Sequence, residues 1–302
     1  MAKETSEIRL ISPYAEGQRW LRGNLHTHTT FSDGKRTPEA VIKDYENRGY
    51  DFLAISDHDV FVKPDKYQRM TQMTLIPGVE VSANGPHILH VNAQTLVPPH
   101  ENRQQVLDEI SAQPESFAVL NHPNWLAPLP DLHFSHERMR SLTGYAGIEI
   151  YNGVIERLPG IPLATDQWDL LLSKGHRVWG FGHDDSHDVQ DVELAWNVVQ
   201  SHDRRGGPIV AALREGRFYV STGVEIQSVR IKDRHIVILT NNAMRIRFIS
   251  RWGVIRHTMD SQAAEFIIPD DPNVRDWMYI RMECYGPRGS MAWTQPIWIE
   301  AG

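Results

Sequence analysis

The strongest constraint on the fold is an alternation of short β-type runs and amphipathic helical segments between about residue 20 and residue 220. Such alternation predicts a mostly parallel sheet whose strands are connected by crossover helices. In the segment TPEAVIKDYENRGY, Thr37 can cap a helix, Pro38 fits its first turn and Gly49 can end it. The next run, DFLAIS, is typical of a buried strand. Further helices are predicted at NRQQVLDEISAQ, at TDQWDLLLSKG with Thr165 as its cap, and at GGPIVAALREG.

The sequence changes character after about residue 220. The runs SVRIKDRHIVILT, MRIRFISRWGVIRHT, AAEFIIP and WMYIRMECYG are alternating or aromatic-rich, and no helical pattern separates them. We therefore predict an α/β domain over residues 1–220 and a small antiparallel β domain over residues 221–302.

Composition excludes several classes of protein. The chain of 302 residues has a net charge of −7 and no long basic run, which disfavours nucleic acid as its main partner. Its single cysteine, Cys284, cannot form an intramolecular disulfide or a cysteine-based zinc cluster. The N-terminal stretch lacks an apolar leader core, and no run approaches the roughly 18 apolar residues of a membrane span. We expect a soluble, cytoplasmic protein without a membrane partner; the oligomeric state is left open.

Histidines and carboxylates cluster at or near the predicted C-terminal ends of six or seven successive β runs. They include His26, His28, Asp33, Asp57, His58, Asp59, Glu80, His87, His90, His122, Glu149, His183, Asp184, Asp185, His187 and Asp188. In a barrel of parallel strands those ends meet on one face, where active sites of this architecture lie. A single pair such as HTH is more often just hydrogen-bonded, but repetition in phase with the strands predicts one shared site.

The donor types restrict what such a site can bind. Imidazole and carboxylate without thiolate suit zinc, manganese or iron. The donors also outnumber the ligands of one tetrahedral ion, which favours two or three clustered divalent ions. Two neighbouring ions can activate water and stabilise the oxygens of an ester during its displacement. The sequence therefore predicts metal-assisted hydrolysis.

The ordered set HxH followed by D, DH, GxE, NHP and DxH resembles the PHP superfamily, the polymerase and histidinol phosphatase metal-dependent hydrolases, over about residues 20 to 190. This resemblance implies a distorted seven-stranded (β/α) TIM-like barrel with up to three metal ions. The stretches GVEVSA, HVNA and REGRFYVSTG look similar to a branch that hydrolyses carbamates and phosphate esters and carries a C-terminal β extension.

The resemblance also implies a ligand set, residue by residue. A first ion would be held by His26, His28, Glu80 and Asp185, a second by Glu80, His90 and His122, and a third by Asp33, His58 and His187. A hydroxide between the first two ions would be the nucleophile, with Glu80, Asp185 and His187 as catalytic residues. His87 competes with His90, because HILHVN can be aligned either way, and His90 is preferred for its HVNA context.

Other polar residues have supporting roles in this interpretation. Lys35 and Arg157 lie in loops expected at the active face and could bind a phosphate. Glu149 could face the substrate or hydrogen-bond a ligand histidine, or could be an ordinary turn carboxylate. Asp57 could orient the imidazole of His58 or cap the end of its strand. Trp125 could form a wall of the pocket.

The function predicted from the sequence is a metal-dependent phosphoesterase acting on a small phosphorylated substrate. A carboxylic ester, carbamate or amide hydrolase is the alternative, because an activated water attacks either centre and the ligands do not distinguish them. A catalytically silent metal-binding module that docks a partner through its β tail is less favoured, since nearly all of the ligands are present. A polymerase accessory subunit would require a basic surface that the sequence lacks.

Overall fold

The computed structural model describes residues 8–126 and 133–302, so the first seven residues of the stretch searched for a leader lie outside the described part. The helices are α1 (Pro38–Asn47), α2 (Arg103–Ser111), α3 (His136–Ser141), α4 (Thr165–Ser173) and α5 (Gly206–Arg214). The first ten strands are β1 (Ile8–Ile11), β2 (Arg19–Asn24), β3 (Phe52–Ile55), β4 (Thr74–Val81), β5 (Ile88–Val91), β6 (Phe117–Leu120), β7 (Gly147–Asn152), β8 (Trp179–His183), β9 (Trp196–Ser201) and β10 (Phe218–Ser221). The others are β11 (Ile226–Lys232), β12 (His235–Thr240), β13 (Arg245–Ser250), β14 (Val254–Met259), β15 (Ala263–Ile267), β16 (Tyr279–Tyr285), β17 (Met291–Thr294) and β18 (Ile297–Ala301).

The helix signals of the sequence operate as predicted in α1, and the helix predicted at NRQQVLDEISAQ is α2. The Thr37 hydroxyl accepts a hydrogen bond from the Ala40 backbone N–H, and Asn102 caps α2 in the same manner. The cap predicted for α4 is wrong. Thr165 is already the first residue of that helix, and the residue at its cap position is Ala164, which has no side-chain acceptor.

The large sheet is mixed rather than mostly parallel. Strands β2, β3 and β4 run parallel to one another, as do β6, β7 and β8. Strand β5 is antiparallel to both β4 and β6, because residues 82–87 between β4 and β5 are too few for the dozen or more residues of a parallel crossover. Strand β9 is antiparallel to β2 and β10.

The predicted TIM-like barrel is not confirmed, and the fold is a mixed α/β architecture with a large sheet. The backbone ladders of the described residues form an open path that ends at β8. Where a closed barrel would need a further ladder, the Asn197 side chain of β9 accepts from the Gly182 N–H and donates to the Gly182 carbonyl of β8. The Asn197 side-chain amide therefore links β8 to β9 without a strand ladder.

The large sheet continues through the predicted domain boundary at residue 220. Strand β10 pairs with β17, and the N-terminal strand β1 pairs with β18. A separate sheet of β11, β12 and β15 shares a second apolar core with β13 and β16, which contains Ile236, Phe248 and Met282. The C-terminal strands are antiparallel, as the sequence predicts, and they extend the sheet that carries the polar clusters.

None of the helices in the described ranges has the length and apolar character needed to cross a membrane.

Candidate metal centre

The two histidines that follow β2 meet two carboxylates from distant parts of the chain. His26 Nε2 lies 3.2 Å from Glu80 Oε2 and 3.2 Å from Asp185 Oδ1. His28 Nε2 lies 3.3 Å and 3.0 Å from the same two oxygens. All four side chains are buried. The structure thus brings together the four residues assigned to the first ion.

These four atoms fit a bound cation better than a hydrogen-bonded cluster. His26 Nε2, His28 Nε2, Glu80 Oε2 and Asp185 Oδ1 are buried and have no hydrogen-bond partner among the described residues. Leaving buried polar atoms unpaired is costly. Two ligands that each lie about 2.1 Å from one ion are about 3.0 to 3.4 Å apart in octahedral or tetrahedral geometry, which matches the observed spacing. The donor set therefore fits a divalent metal ion.

The second oxygen of Glu80 faces another group of donors. Glu80 Oε1 lies 3.1 Å from His87 Nδ1 and 3.3 Å from His122 Nε2, and it accepts a hydrogen bond of 2.7 Å from the Asn121 side chain. His58 Nδ1 lies 2.9 Å from Glu80 Oε2. Glu80 is thus placed to bridge two ions, but the histidine that joins it from the β4–β5 hairpin is His87.

His90 lies on the opposite face of the sheet from Glu80, away from the other predicted ligands. In the β4–β5 ladder Glu80 pairs with Leu89, and His90 pairs with Val79. Residues paired across a ladder share a face and neighbours along a strand alternate. His90 is fully buried, and neither ring nitrogen has a hydrogen-bond partner among the described residues. The structure therefore does not support the preference for His90 over His87. Because β5 runs antiparallel to β4, the N-terminal end of β5, next to His87, lies at the site.

A third group lies at the mouth of the site. His187 Nε2 is 3.3 Å from Asp33 Oδ1, and the rings of His58 and His28 come within 3.7 Å and 3.8 Å of the same oxygen. Burial raises the pKa of Asp33, but the hydrogen bond and charge of His187 outweigh it and hold the pKa below its usual range. The three residues assigned to the third ion are therefore adjacent, with His28 beside them.

Glu149 supports the ligands from beneath and does not face the cavity. Its Oε1 lies 2.7 Å from both His26 Nδ1 and His183 Nδ1, and its Oε2 accepts from the His122 backbone N–H at 2.6 Å. Burial raises its pKa, but the two imidazoles outweigh burial and leave the pKa at about 2. Glu149 is thus not positioned to contact a substrate, which was one of its predicted roles. The alternative, a hydrogen bond to a ligand histidine, is what the structure contains.

Two other carboxylates fasten loops instead of orienting imidazoles. Asp57 accepts hydrogen bonds from the Thr29 N–H, the Thr29 hydroxyl and the Ser32 hydroxyl, and so holds the loop that carries Asp33. Of its two predicted roles, orienting the His58 ring is not what the structure contains, because the partners of its side chain are Thr29 and Ser32. Asp184 accepts from the Tyr45 hydroxyl and from three backbone N–H groups of residues 193–195. Burial raises the pKa of Asp184 to about 6.

The donor groups open into a cavity of about 330 Å³. Its lining comprises Asp33, Lys35, His58, Glu80, His87, His122, Trp125, Val154, Ile155, Arg157, Leu158, Asp185 and His187. Lys35 pairs with Asp188 at 2.9 Å, and Arg157 makes a bidentate pair with Asp191. Both predicted phosphate contacts and Trp125 therefore lie at the cavity, with one wall apolar.

Two asparagines complete the site although the sequence analysis assigned them no role. Asn121 donates to Glu80, while Asn152 donates to both Glu149 and Asp185. In the sequence, each of them is only an amide residue near the end of a β run.

Backbone strain is a further feature of the site that has no sequence signal. His122 and Asp185 have positive φ angles of 31° and 52°. Such strain in non-glycine residues is typical of functional sites.

Comparison with known proteins adds independent information. Residues 24–149 match the family model of the PHP domain. A 5'-3' exoribonuclease from Haemophilus influenzae is 34% identical over 76 residues, which cover 23% of this chain and 28% of that protein. The chain is also similar to a crystal structure from Bacteroides vulgatus, that of a two-domain protein containing a predicted PHP-like metal-dependent phosphoesterase. The match covers 98% of this chain and 91% of the Bacteroides chain, with 17% sequence identity and a TM-score of 0.57. The similarity to the second protein indicates a shared fold that includes the C-terminal strands.

Proposed function

We propose that the chain, whose residues 24–149 match the family model of the PHP domain, is a metal-dependent phosphoesterase that hydrolyses a small phosphorylated substrate. The observation that supports this most is the set of unpartnered, buried donor atoms of His26, His28, Glu80 and Asp185, whose spacing fits a divalent ion. No other residue that the structure describes gives these atoms a hydrogen-bond partner that would offset their burial.

In this proposal two or three ions of zinc, manganese or iron are held by three groups of ligands. The groups are His26, His28, Glu80 and Asp185; then Glu80, His87 and His122; and then Asp33, His58 and His187. Bound ions at these positions supply an activated water and neutralise the negative charge of the ester. Glu149 keeps the His26 and His183 rings oriented, and a support of this kind typically changes metal affinity by about 10- to 100-fold.

Lys35 and Arg157 are the proposed contacts of the substrate phosphate. A bidentate pair with Asp191 engages only two of the five guanidinium donors of Arg157. Lys35 is largely exposed and its pair with Asp188 is open to solvent, so an incoming phosphate can compete for it. These cations favour a phosphate ester over an uncharged substrate.

The apolar wall of the cavity supports a second candidate. Trp125, Val154, Ile155 and Leu158 line the same space as the donor groups. A carboxylic ester, carbamate or amide would pack on such a wall without needing the cations. The two candidates differ in the reacting centre and share the ligands, so one substrate panel separates them.

The test compares manganese-loaded protein with a chelated control on p-nitrophenyl phosphate, bis-p-nitrophenyl phosphate and p-nitrophenyl acetate. We expect metal-dependent hydrolysis of a phosphate substrate, and turnover of the acetate alone would favour the second candidate.

His26→Ala and Glu80→Ala should lose bound metal and activity, while their circular dichroism spectra stay unchanged. His235→Ala, a half-exposed histidine of β12, is the matched control. Full activity of either site variant would contradict the proposal, and silence on all three substrates with metal bound would favour the non-catalytic module.

A further inference from the structure

A second cavity lies where α4 meets the C-terminal strands. It has a volume of about 570 Å³ and shares no lining residue with the cavity of the metal centre. Its walls come from α4, from β13, β14 and β16, and from the turn of residues 251–253 that joins β13 to β14. This volume is within the range of small-molecule sites in proteins. We call it the Arg247 cavity.

One face of three paired strands forms the floor of the Arg247 cavity. Arg247 of β13 pairs with Glu283 of β16. Ile249 of β13 pairs with Arg281 of β16 and with Ile255 of β14. Residues paired across a ladder share a face of the sheet, and so do residues two apart along one strand. The floor therefore presents charged and aliphatic side chains next to one another.

The charged groups of the floor form a hydrogen-bonded chain that ends at Arg247. Arg281 donates to Asp169 and to Glu283. The Tyr285 hydroxyl donates to the second oxygen of Glu283 at 2.6 Å and accepts from Arg247 Nη1 at 3.1 Å. With two carboxylates and two guanidinium groups this chain is neutral, and both carboxylates already have hydrogen-bond donors.

The guanidinium of Arg247 has donors that remain unused. Its Nε is buried and has no hydrogen-bond partner among the described residues. Within the same residues the guanidinium donates to the Tyr285 hydroxyl alone, from Nη1. Nε and Nη2 lie on one edge of the planar group, and a carboxylate can accept two parallel hydrogen bonds from such an edge. Because a buried donor without a partner is costly, this edge favours a bound acceptor.

The walls of the Arg247 cavity are apolar and firmly held. Leu170 of α4 and Trp252 of the 251–253 turn line it above the floor. The Trp252 backbone N–H donates to the Ser173 hydroxyl at 2.7 Å, which fastens the turn to the end of α4. Trp252 has a positive φ of 63°, a strained conformation for a bulky residue that is typical of functional sites. Its side chain is 47% exposed, which leaves ring surface for a planar ligand to cover.

Two further cations flank the Trp252 ring. Lys174 Nζ lies 5.2 Å and Arg251 Cζ lies 5.1 Å from the centre of a Trp252 ring. Neither forms an ion pair with a carboxylate that the structure describes. Asp166, the remaining carboxylate of the lining, is exposed and accepts hydrogen bonds from two side-chain amides. The surroundings of the cavity therefore favour an anion.

We propose that the Arg247 cavity binds a small organic carboxylate with a planar apolar body, at a site separate from the metal centre. The carboxylate accepts from Nε and Nη2 of Arg247, and the apolar body packs against the Trp252 ring and the aliphatic side chains of Leu170 and Ile255. Phosphate fits less well, because the apolar walls offer few donors to a strongly hydrated dianion. The bound ligand joins α4 to β13 and β14, so it stabilises the folded chain.

The test is isothermal titration calorimetry of the full chain with 2-naphthoate, in chelating buffer so that the carboxylate has no metal ion to bind. We expect a Kd of about a millimolar or lower for a ligand of this size. Arg247→Gln removes the charge and the paired donors, so it should weaken binding at least about tenfold. Arg245→Gln is the matched control from the same strand and should bind as the wild type does, because its pair with Asp260 is exposed.

Two comparisons separate this site from the metal centre and from nonspecific apolar binding. Arg157→Gln removes a cation from the cavity of the metal centre and should leave the naphthoate Kd unchanged. The uncharged 2-naphthamide keeps the planar body and should bind the wild type at least about tenfold more weakly than the carboxylate. Naphthoate should also raise the midpoint of thermal unfolding of the wild type more than that of Arg247→Gln.

Three results would overturn the proposal. The first is no heat of binding with millimolar naphthoate, and the second is an equal Kd for the amide and the carboxylate. The third is binding that is lost in Arg157→Gln and retained in Arg247→Gln, because the ligand would then occupy the metal centre. If Arg247→Gln does not fold, the amide comparison on the wild type and the Arg157→Gln titration still decide the question.

Discussion

At the scale of single residues, the face of β5 on which a histidine lies decides whether it can reach the donor cluster. We expect His87→Leu to lower the content of bound metal by about one equivalent, because its ring lies 3.1 Å from Glu80. His90→Leu is the matched variant and should keep its metal, since that residue pairs with Val79 on the other face. Elemental analysis of the purified variants makes the measurement. Equal loss of metal in both would mean that His87 is not the second-site ligand.

His90 should make the protein more sensitive to acid. Burial lowers its pKa from 6.5 to about 4 in the folded chain. In the unfolded state the His90 ring is therefore protonated below about pH 6.5, whereas in the folded state it stays neutral down to about pH 4. The free energy of unfolding thus decreases as the pH falls through this window. Between pH 7 and pH 5 we expect the wild type to lose about 2 kcal/mol more unfolding free energy than His90→Leu. Urea titrations in chelating buffer measure this, and parallel pH profiles of the two proteins would contradict it.

At the scale of elements, the hairpin of β4 and β5 is held from two sides. The Arg103 guanidinium of α2 donates to the carbonyls of Ser82 and Ala83 and is almost fully buried. Asp59 accepts from the N–H groups of the same two residues. A Cβ atom on Gly85 would come within 2.6 Å of Arg103 Nε, so the loop packs directly against the guanidinium. Both contacts fix the segment that delivers His87 to Glu80.

We therefore expect Arg103→Met to weaken metal binding at the Glu80, His87 and His122 group by about 10- to 100-fold, the usual effect of losing a supporting contact. Metal titration followed by calorimetry measures it, and the first group of ligands should retain its ion. Arg103→Lys should recover part of the affinity by donating to one carbonyl. Arg140→Met, on the exposed side of α3, is the control. An unchanged titration in Arg103→Met would show that the hairpin positions His87 without it.

The sequence predicted the elements better than their directions. Alternation of β runs and caps such as Thr37 located α1 and most strands, and the polar residues in phase with those strands predicted one site that includes His26, His28, Glu80 and Asp185. The direction of β5 was missed, although Asn84 and Gly85 form a hairpin signal between two β runs. Contacts such as Glu149 to His26 join residues 123 apart and have no local signature.

At the scale of the whole molecule, a buried ionic cluster ties the α/β part to the C-terminal strands. Arg281 of β16 donates to both oxygens of Asp169 in α4, at 2.8 Å and 2.6 Å, and also to Glu283. The Tyr279 hydroxyl donates to Asp169 as well. The charges of Asp169 and Glu283 raise the pKa of Arg281 despite its burial. Together with the shared sheet, this cluster predicts that the two halves unfold as one unit.

Removal of the central cation tests that coupling. Arg281→Met leaves Asp169 and Glu283 as buried carboxylates without their shared cation, so we expect a loss of about 3 to 5 kcal/mol in unfolding free energy. Asp169→Asn should cost less, because Arg281 keeps its bond to Glu283 and asparagine still accepts from Tyr279. Arg245→Met breaks the exposed pair with Asp260 and should cost less than about 1 kcal/mol. Urea unfolding followed by tryptophan fluorescence and far-UV circular dichroism makes the comparison. If Arg281→Met costs no more than Arg245→Met, the sheet and the apolar core alone hold the halves together, because a buried cation whose loss costs nothing was not offsetting the burial of its carboxylates. Separate transitions of the two probes in the wild type would instead mean that the halves do not unfold as one unit.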